Sequence, residues 1–410
     1  MAHPQAAAPK AYRVGTHRAA RPDETLQRIL PITRAMGITR VANITGLDVI
    51  GLPVVAVVRP NSRSISVAQG KGLDLAAAKV SGIMESIENY HAERVQRPLL
   101  FATWAEVQGR EATIDLQRLP RVAGSTLNPG DRMLWIEGHE VIARKRVLVP
   151  FELVHTDYVV PLPTGCGAFQ MSDSGVASGN HPLEATSHAI CELVERDAVT
   201  LWSFLGEAEK TARRLDLASV DDEACRSVIG RFEAAGIRAA VWDVTTDIDI
   251  PAFFCTILEE APSTWRPLSP SSGSGCHPCR EVALLRALTE AAQTRLTVIA
   301  GSRDDVGLSK YAHTQDQDRL AQTLEMFDAS PCRSFREVTR WEADTFQEDV
   351  AWELSRLRAV GIDEVAVVDL TLPAFGIPVV RVVIPGLEGI GDAPGFTPGP
   401  RVNAQARARS

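Results

Sequence analysis

Paired acidic residues on three separate apolar segments are the part of this chain with the clearest chemical potential. The first members of the pairs are Glu85, Glu192 and Glu290, and each is followed three positions later by another glutamate or by a glutamine. Because an α-helix turns about 100° per residue, both members of such a pair lie on one helix face. Carboxylates gathered in one cleft repel each other, by roughly 4 kcal/mol at about 4 Å and an effective dielectric of about 20. We therefore expect a hard divalent cation with oxygen ligands to bind between them.

The segments that carry these pairs are predicted to be buried helices, since their other residues are mostly Ala, Leu, Ile and Val. A solvated helix face is the ordinary explanation for one such pair, but it explains three alike segments less well. Glu184 lies two turns before Glu192 and falls near the same face. The second members of the pairs are Glu88, Glu195 and Gln293. The predicted helices cover residues 77–90, 184–197 and 282–295.

Composition narrows the class of protein. The chain has 410 residues and a formal net charge of −8, which allows a large core and gives no general attraction for nucleic acid. It has no N-terminal apolar region of a signal peptide and no long apolar run, so we expect no membrane association. The seven cysteines are scattered, which is typical of a reduced cytoplasm. Cys276 and Cys279 form a lone CxxC motif without a second ligand pair, so we predict neither a zinc site nor a redox site there.

A repeat unit of helix end, glycine, β-branched run, turn, proline and second β-branched run occurs three times. Gly37, Gly236 and Gly361 fit helix C-caps, and Pro53, Pro251 and Pro378 fit the first residue of a strand. The copies cover residues 34–58, 233–257 and 358–383. Helices alternating with antiparallel strand pairs predict a layered α/β or α+β fold. We expect a loose tail over 1–12, a catalytic domain over 13–385, a Gly/Pro-rich C-terminal tail over 386–410, and an aperiodic loop over 262–279.

Basic and small residues precede two of the predicted glutamate helices. Lys71 lies between Gly70 and Gly72, two glycines that could let the backbone approach a ligand, and its ammonium suits a phosphate. The motif is not a Walker A loop, because the expected preceding glycine and following Ser or Thr are absent. A second glycine-bearing segment, 174–181, leads into the middle helix, where a helix N-terminus can bind anions. Carboxylates beside such cations suit a magnesium-bound nucleotide.

Together these motifs resemble the YcaO family. The likeness is carried by Gln69-Gly-Lys-Gly72, by the helix with Ser81, Glu85 and Glu88, by Ala177-Ser-Gly-Asn180 with the following glutamates up to Asp197, and by Glu290-Ala-Ala-Gln293-Thr-Arg295. The resemblance implies a non-Walker ATP site in which glutamates hold Mg²⁺. It also implies ATP-dependent activation of a peptide backbone amide, in which a nucleophile adds to the amide carbonyl, the oxygen is phosphorylated, and phosphate then leaves.

Carried over residue by residue, the resemblance assigns two sets of side chains. The magnesium ligands would be Glu85, Glu88, Glu184, Glu192, Glu195 and Glu290, and four of these, Glu85, Glu192, Glu195 and Glu290, would also take part in catalysis. The nucleotide contacts would be Arg18, Lys71, Ser81, Asn180, Glu184, His188, Arg286 and Gln293. His188 lies one turn before Glu192, and a hydrogen-bonded core histidine is the alternative reading of it. The implied fold has repeated helix–strand–turn–strand units whose glutamate helices line an ATP cleft.

The nucleophile remains open at this point. Side chains of Cys, Ser or Thr would give an azoline, sulfide a thioamide, and an amine an amidine. The chain lacks the usual Pro-x-Pro-x-Pro ending of azoline-forming members, and its residues 12–18 and 384–389 resemble the subgroup found with TfuA partners. That resemblance implies thioamide formation in a peptide or protein substrate, helped by a TfuA-like sulfur-delivery partner. A homodimer is a further expectation, and a non-catalytic ATP-binding or peptide-presenting subunit is the alternative from another class.

Overall fold

The computed structural model describes residues 8–165, 167–260, 268–306 and 317–409. The helices are α1 (Pro22–Ile29), α2 (Leu75–Glu93), α3 (Trp104–Gln108), α4 (Pro182–Ser203), α5 (Glu207–Ala212), α6 (Glu223–Ala234), α7 (Arg280–Ala300), α8 (Gln317–Asp328), α9 (Phe346–Ala359) and α10 (Pro400–Arg407). The strands are β1 (Arg40–Asn43), β2 (Val54–Val58), β3 (Val67–Lys71), β4 (Leu99–Thr103), β5 (Arg132–Glu140), β6 (Lys145–Pro150), β7 (Val176–Ser178), β8 (Leu215–Asp216), β9 (Ile237–Asp243), β10 (Ala252–Glu259), β11 (Ser271–Cys276), β12 (Arg333–Ser334), β13 (Ala366–Asp369) and β14 (Val379–Val383).

All three predicted glutamate helices are confirmed, as α2, α4 and α7. Local chemistry fixes their ends: the Asp74 carboxylate accepts a hydrogen bond from Ala77 N at the start of α2, and Pro182 begins α4. Gly301 ends α7 in the left-handed conformation, with φ of 56°. Their alanine and aliphatic faces are buried in the core, so packing rather than exposed charge holds them in place.

The repeat is also confirmed, and it forms three antiparallel units. β1–β2–β3 pack on α2, β9–β10–β11 on α7, and β13–β14–β7 on α4. In the first two units the third strand and its glutamate helix follow the repeat in sequence. In the third unit β7 and α4 come earlier in the chain than β13 and β14. This explains why the third copy has no glutamate helix after it.

The turns and strand starts follow the predicted punctuation. Gly37, Gly236 and Gly361 have φ between 66° and 79°, a region that residues with a Cβ rarely adopt. Each predicted proline lies one residue before its strand rather than inside it, because proline has no N–H to donate to the ladder. The three units therefore share their local geometry as well as their order.

The glycines before α2 and α7 serve packing, which corrects two predictions. Gly70 lies on β3, where a Cβ would collide with the backbone of Gly82 and Ala78 in α2. Gly273 and Gly275 lie on β11, where a Cβ would collide with the backbone of α7. The glycines of the first pair therefore let strand and helix approach closely rather than let a ligand approach. The second pair lies in the segment 262–279 that was predicted as a loop. Within it, residues 271–276 form a strand, and 262–267 lie outside the described residues.

Both termini differ from the predicted tails. Residues 1–7 and 410 lie outside the described residues, but Ala8 is buried and Lys10 Nζ forms a buried ion pair with Asp349 at 2.6 Å. At the other end, Arg401 on α10 lies 3.0 Å from Asp197 of α4, a contact between distant residues that composition does not reveal. No helix in the described ranges has the length and the apolar character needed to cross a membrane.

Candidate functional site

The helices α2, α4 and α7 meet around one cavity of about 1520 Å³. Every side chain predicted for the site lines this cavity. They are Arg18, Lys71, Ser81, Glu85, Glu88, Asn180, Glu184, His188, Glu192, Glu195, Arg286, Glu290 and Gln293. The fold therefore brings residues that are far apart in sequence to one place, as predicted from their positions on one face of each helix.

Glu85 and Glu88 are the two predicted metal ligands that form no ion pair with a cationic side chain among the described residues. Glu88 Oε1 accepts hydrogen bonds from the backbone N–H and the hydroxyl of Ser178, both at 2.7 Å. Burial raises the pKa of Glu88 to about 8, and the neighbouring Glu85 and Glu192 add to the shift. Burial also raises the pKa of Glu85 to about 7. Ionised carboxylates that lie close together in a low-dielectric cavity wall are unfavourable, and a bound cation stabilises them.

The other predicted carboxylates face basic side chains. Glu290 lies 2.7 Å from Lys71 Nζ, and Glu184 lies 3.6 Å from Arg18. Arg196 lies 3.4 Å from Glu192 and 3.5 Å from Glu195. The predicted carboxylates thus lie beside three basic side chains, the charge pattern that can accommodate a polyphosphate and its counter-ion.

Three hydrogen bonds join the units in a ring. In each bond a glutamate of one unit accepts from the third strand of another unit, the strand that precedes the other unit's helix. The pairs are Glu88 with Ser178 at 2.7 Å, Glu195 with Ser274 at 2.7 Å, and Glu290 with Lys71 at 2.7 Å. Each unit both gives and receives one contact, so the ring fixes the three helices relative to one another.

The predicted nucleotide contacts are ordered by their own hydrogen bonds. Asn180 Oδ1 accepts from Arg28 at 2.7 Å, and His188 Nε2 lies 2.8 Å from Arg286 Nη2. Burial lowers the pKa of His188 well below its usual value, and Arg286 lowers it further, so the ring is neutral and can accept from the guanidinium. His188 therefore holds Arg286 in place. It lines the cavity, as a predicted nucleotide contact should, and it is also hydrogen-bonded, as in the alternative interpretation.

Some cavity residues were missed by the sequence argument. Arg196 follows Glu195 directly in the sequence and forms ion pairs with two predicted ligands, Glu192 and Glu195. A basic residue next to these acidic ones was the signal that could have found it. Ser274, Ser178 and Asp173 also line or contact the site, but their strands and loops gave no charge pattern to follow. Their role depends on contacts between units.

The donor set fits Mg²⁺ by its chemistry. All the predicted ligands are carboxylates on the wall of one cavity, and oxygen is the ligand atom that Mg²⁺ prefers. Within the described ranges no three His, Cys, Asp or Glu side chains already stand as a ligand group. Lys71 and Arg196 instead lie against the carboxylates. The fit therefore rests on Glu85 and Glu88, which carry raised pKa values and have no ion pair in the described chain.

The two cysteines of the CxxC motif do not line the cavity. Cys276 ends β11 and Cys279 precedes α7, both buried, and Cys279 Sγ lies 2.9 Å from Glu281. Burial raises the pKa of Cys279 to about 12, and the Glu281 contact adds to it. A protonated, buried thiol is a poor nucleophile and a poor metal ligand.

Comparison with known proteins gives one matching family. A family model described as YcaO cyclodehydratase, ATP- and Mg²⁺-binding, matches residues 69–388. A protein from the tfuA 3′ region of Rhizobium leguminosarum bv. trifolii is 39% identical over 379 residues, which are 90% of this chain and 88% of that protein. A protein of Methanothermobacter thermautotrophicus is 31% identical over 380 residues, which cover 90% of this chain and 94% of that protein.

Solved structures share the fold. A YcaO protein from Methanopyrus kandleri, bound with AMPPCP and Mg²⁺, has a TM-score of 0.74 at 22% identity, with 96% of this chain and 98% of that chain covered. A heterocyclase in complex with substrate and cofactor has a TM-score of 0.77 at 22% identity, with 95% of this chain covered. This chain spans only 55% of that heterocyclase. At this identity these likenesses support the fold.

Proposed function

The chain belongs to the YcaO family, whose cofactors are ATP and Mg²⁺, and from this membership we propose that it is an enzyme that activates a backbone amide of a peptide or protein substrate. The observation that carries the proposal is the gathering of all predicted site residues, from α2, α4, α7 and the N-terminal segment, on one cavity. ATP supplies the phosphoryl group that turns the amide oxygen into a leaving group.

The side chains of the cavity divide into two tasks. Glu85 and Glu88 are the residues that would hold Mg²⁺ most directly, and Glu184, Glu192, Glu195 and Glu290 would complete the acidic wall. Lys71 and Arg196 are the cations best placed to contact phosphate oxygens, because they already lie among the carboxylates. Holding two reactants in one orientation and neutralising charge are the main contributions a protein makes to phosphoryl transfer.

We further propose that sulfide is the nucleophile and that the product is a thioamide. Sulfur adds to the amide carbon, the C–O bond breaks, and phosphate leaves with the former amide oxygen. The relative from the tfuA 3′ region supports this choice, because it matches 90% of the chain at 39% identity. A TfuA-like protein is then the proposed partner for sulfur delivery, and a homodimer is the proposed assembly.

Azoline formation is the second candidate, because the matching family is that of the YcaO cyclodehydratases. Reconstitution separates the two. The full chain is combined with Mg²⁺, ATP, sulfide, a TfuA-like protein and a candidate peptide, and the peptide is analysed by intact mass. Replacement of oxygen by sulfur supports thioamidation, whereas loss of water without added sulfide supports azoline formation. ATP binding without phosphate release or peptide modification would instead support a non-catalytic subunit.

A further inference from the structure

One end of the cavity is formed by aromatic and aliphatic side chains that the assignments above do not use. Trp202 from α4, Trp242 from β9 and Phe254 from β10 form this end, together with Leu258 and Met326. The ring centroids of Trp202 and Phe254 are 4.8 Å apart, and those of Trp202 and Trp242 are 5.7 Å apart. We call these five residues the aromatic pocket.

The aromatic pocket is continuous with the acidic wall. Trp202 follows Glu195 by seven residues on α4, so both side chains lie on one helix face, about 10 Å apart along the axis. On the sheet, Phe254 is paired with Ser274 on one side and with Trp242 on the other. Ser274 Oγ donates to Glu195 at 2.7 Å, so one cross-strand row runs from a carboxylate contact to the aromatic rings.

Three of the predicted nucleotide contacts, Arg18, Asn180 and Glu184, lie toward the other end of α4. Asn180 precedes α4 and Glu184 is in its first turn, about 12 Å along the axis before Glu192. Arg18 lies 3.6 Å from Glu184 and so belongs to the same end. A nucleotide that extends from these residues to Glu192 and Glu195 does not occupy the aromatic pocket, which lies beyond those two carboxylates. The aromatic pocket can therefore bind the second substrate.

Two basic side chains at the edge of the aromatic pocket, Lys210 and Arg238, already form ion pairs. Lys210 lies 5.3 Å from the Trp202 ring and 3.3 Å from Glu207, and Arg238 lies 2.8 Å from Asp328. A charged guest would lose its hydration and find no free counter-charge in these pairs, whereas an apolar guest gains from burial. The chemistry of the aromatic pocket therefore favours an uncharged, apolar side chain.

We propose that the aromatic pocket binds an apolar side chain of the peptide substrate within about three residues of the modified amide, since an extended peptide advances about 3.3 Å per residue. The proposal depends on the proposed function for the identity of the second substrate. It makes Trp202 and Phe254 determinants of substrate choice, separate from the carboxylates that bind Mg²⁺ and ATP.

Binding without turnover tests this. Full-length protein is immobilised with Mg²⁺ and AMPPCP and exposed to a pool of blocked heptapeptides of glycine in which one position varies over all residue types. Bound peptides are quantified by mass spectrometry. We expect Leu, Met and Phe peptides to be enriched about tenfold over all-glycine and charged peptides, the factor that burial of one such side chain provides. Trp202→Ala and Phe254→Ala should each reduce this enrichment to about threefold or less.

Controls separate the aromatic pocket from folding and from the nucleotide site. Trp352→Ala removes an indole that stacks on Trp341 away from the cavity, and it should leave the enrichment unchanged. If Phe254→Ala unfolds, Phe254→Leu takes its place as the test variant. Leucine keeps an apolar side chain at this position and should retain most of the enrichment. Affinity for Mg²⁺ and AMPPCP should stay within about twofold in Trp202→Ala, well below the tenfold change that 1.4 kcal/mol represents.

Two results would overturn the proposal: the wild type shows no enrichment, or Trp202→Ala weakens nucleotide binding as strongly as peptide binding. The second result would place the nucleotide base on the indole. Failure of the proposed function looks different, because apolar peptides would still be enriched while no phosphate is released and no peptide is modified.

Discussion

Lys71 and Ser274 occupy equivalent positions in two of the three units. Each lies on a third strand between two glycines that pack on the unit's own helix, and each contacts a glutamate of another unit, Glu290 or Glu195, at 2.7 Å. The two contacts differ in charge, because one donor is an ammonium and the other a hydroxyl. The same backbone geometry therefore places an ammonium beside Glu290 and a neutral hydroxyl beside Glu195, so the two contacts differ in charge although their positions are equivalent.

Loss of the Lys71 ammonium is expected to weaken nucleotide binding without unfolding the protein. Lys71→Gln should raise the KM for ATP about tenfold or more, since a charge-assisted contact contributes about 1.5 to 3 kcal/mol. Steady-state phosphate release against ATP concentration measures this. Lys145→Gln, an exposed substitution on β6, is the matched control and should leave KM unchanged. An unchanged KM in Lys71→Gln would contradict a role for Lys71 in nucleotide binding.

Removal of one carboxylate from the acidic wall is expected to abolish turnover. Glu192→Gln and Glu195→Gln should each reduce ATP hydrolysis at saturating Mg²⁺ about a hundredfold or more, as loss of a group that orients a metal or phosphate does. Melting temperatures should stay close to that of the wild type. Glu233→Gln changes an exposed glutamate of α6 that does not line the cavity, and it serves as the control. Full activity in both wall variants would contradict the assignment.

The helix–strand contacts at glycine are expected to be intolerant of a methyl group. Gly70→Ala places a Cβ against the backbone of Gly82 and Ala78, and overpacking of this kind costs about 1 to 3 kcal/mol or more. Gly46→Ala meets no atom within 4 Å and should change stability by less than about 1 kcal/mol. Urea unfolding of the two variants makes the comparison. Equal stabilities would show that β3 can move away from α2 at little cost.

A buried ion pair between Arg59 and Glu93 is expected to make stability depend on acid. The Glu93 carboxylate lies 2.6 Å from both terminal nitrogens of Arg59. Burial alone raises the pKa of Glu93, but hydrogen bonds from Arg59 and Ser64 lower it overall, from 4.5 to about 2. Because the folded pKa is the lower one, the stabilisation is complete above about pH 4.5 and is lost as pH falls toward 2.

Glu93→Gln should therefore lower the free energy of unfolding by about 3 to 5 kcal/mol at pH 7, since it leaves Arg59 buried without a counter-charge. The difference from wild type should shrink between pH 4.5 and 2, as measured by chemical denaturation at several pH values. Glu137→Gln removes an exposed partner of Arg146 and should cost less than about 1 kcal/mol. A difference that does not change with pH would contradict the coupling.

Much of the fold could be read from local signals. Helical periodicity located α2, α4 and α7, and glycine and proline punctuation located the three repeats, because both act over a few residues. The order of the third unit could not be read, since β7 and α4 precede β13 and β14 by more than a hundred residues. Small residues on β11 resembled a loop in sequence, because only the neighbouring helix shows why glycine is needed there.

The sequence by itself determined the family, the glutamate pairs and the helix faces that carry them, because spacing on a helix is a property of consecutive residues. The tertiary structure alone decided that these faces meet in one cavity and that Arg196 bridges Glu192 and Glu195. It also decided that the row from Ser274 to Trp242 leads away from the carboxylates. These relationships join residues distant in the chain, and packing between units, rather than local preference, sets their distances.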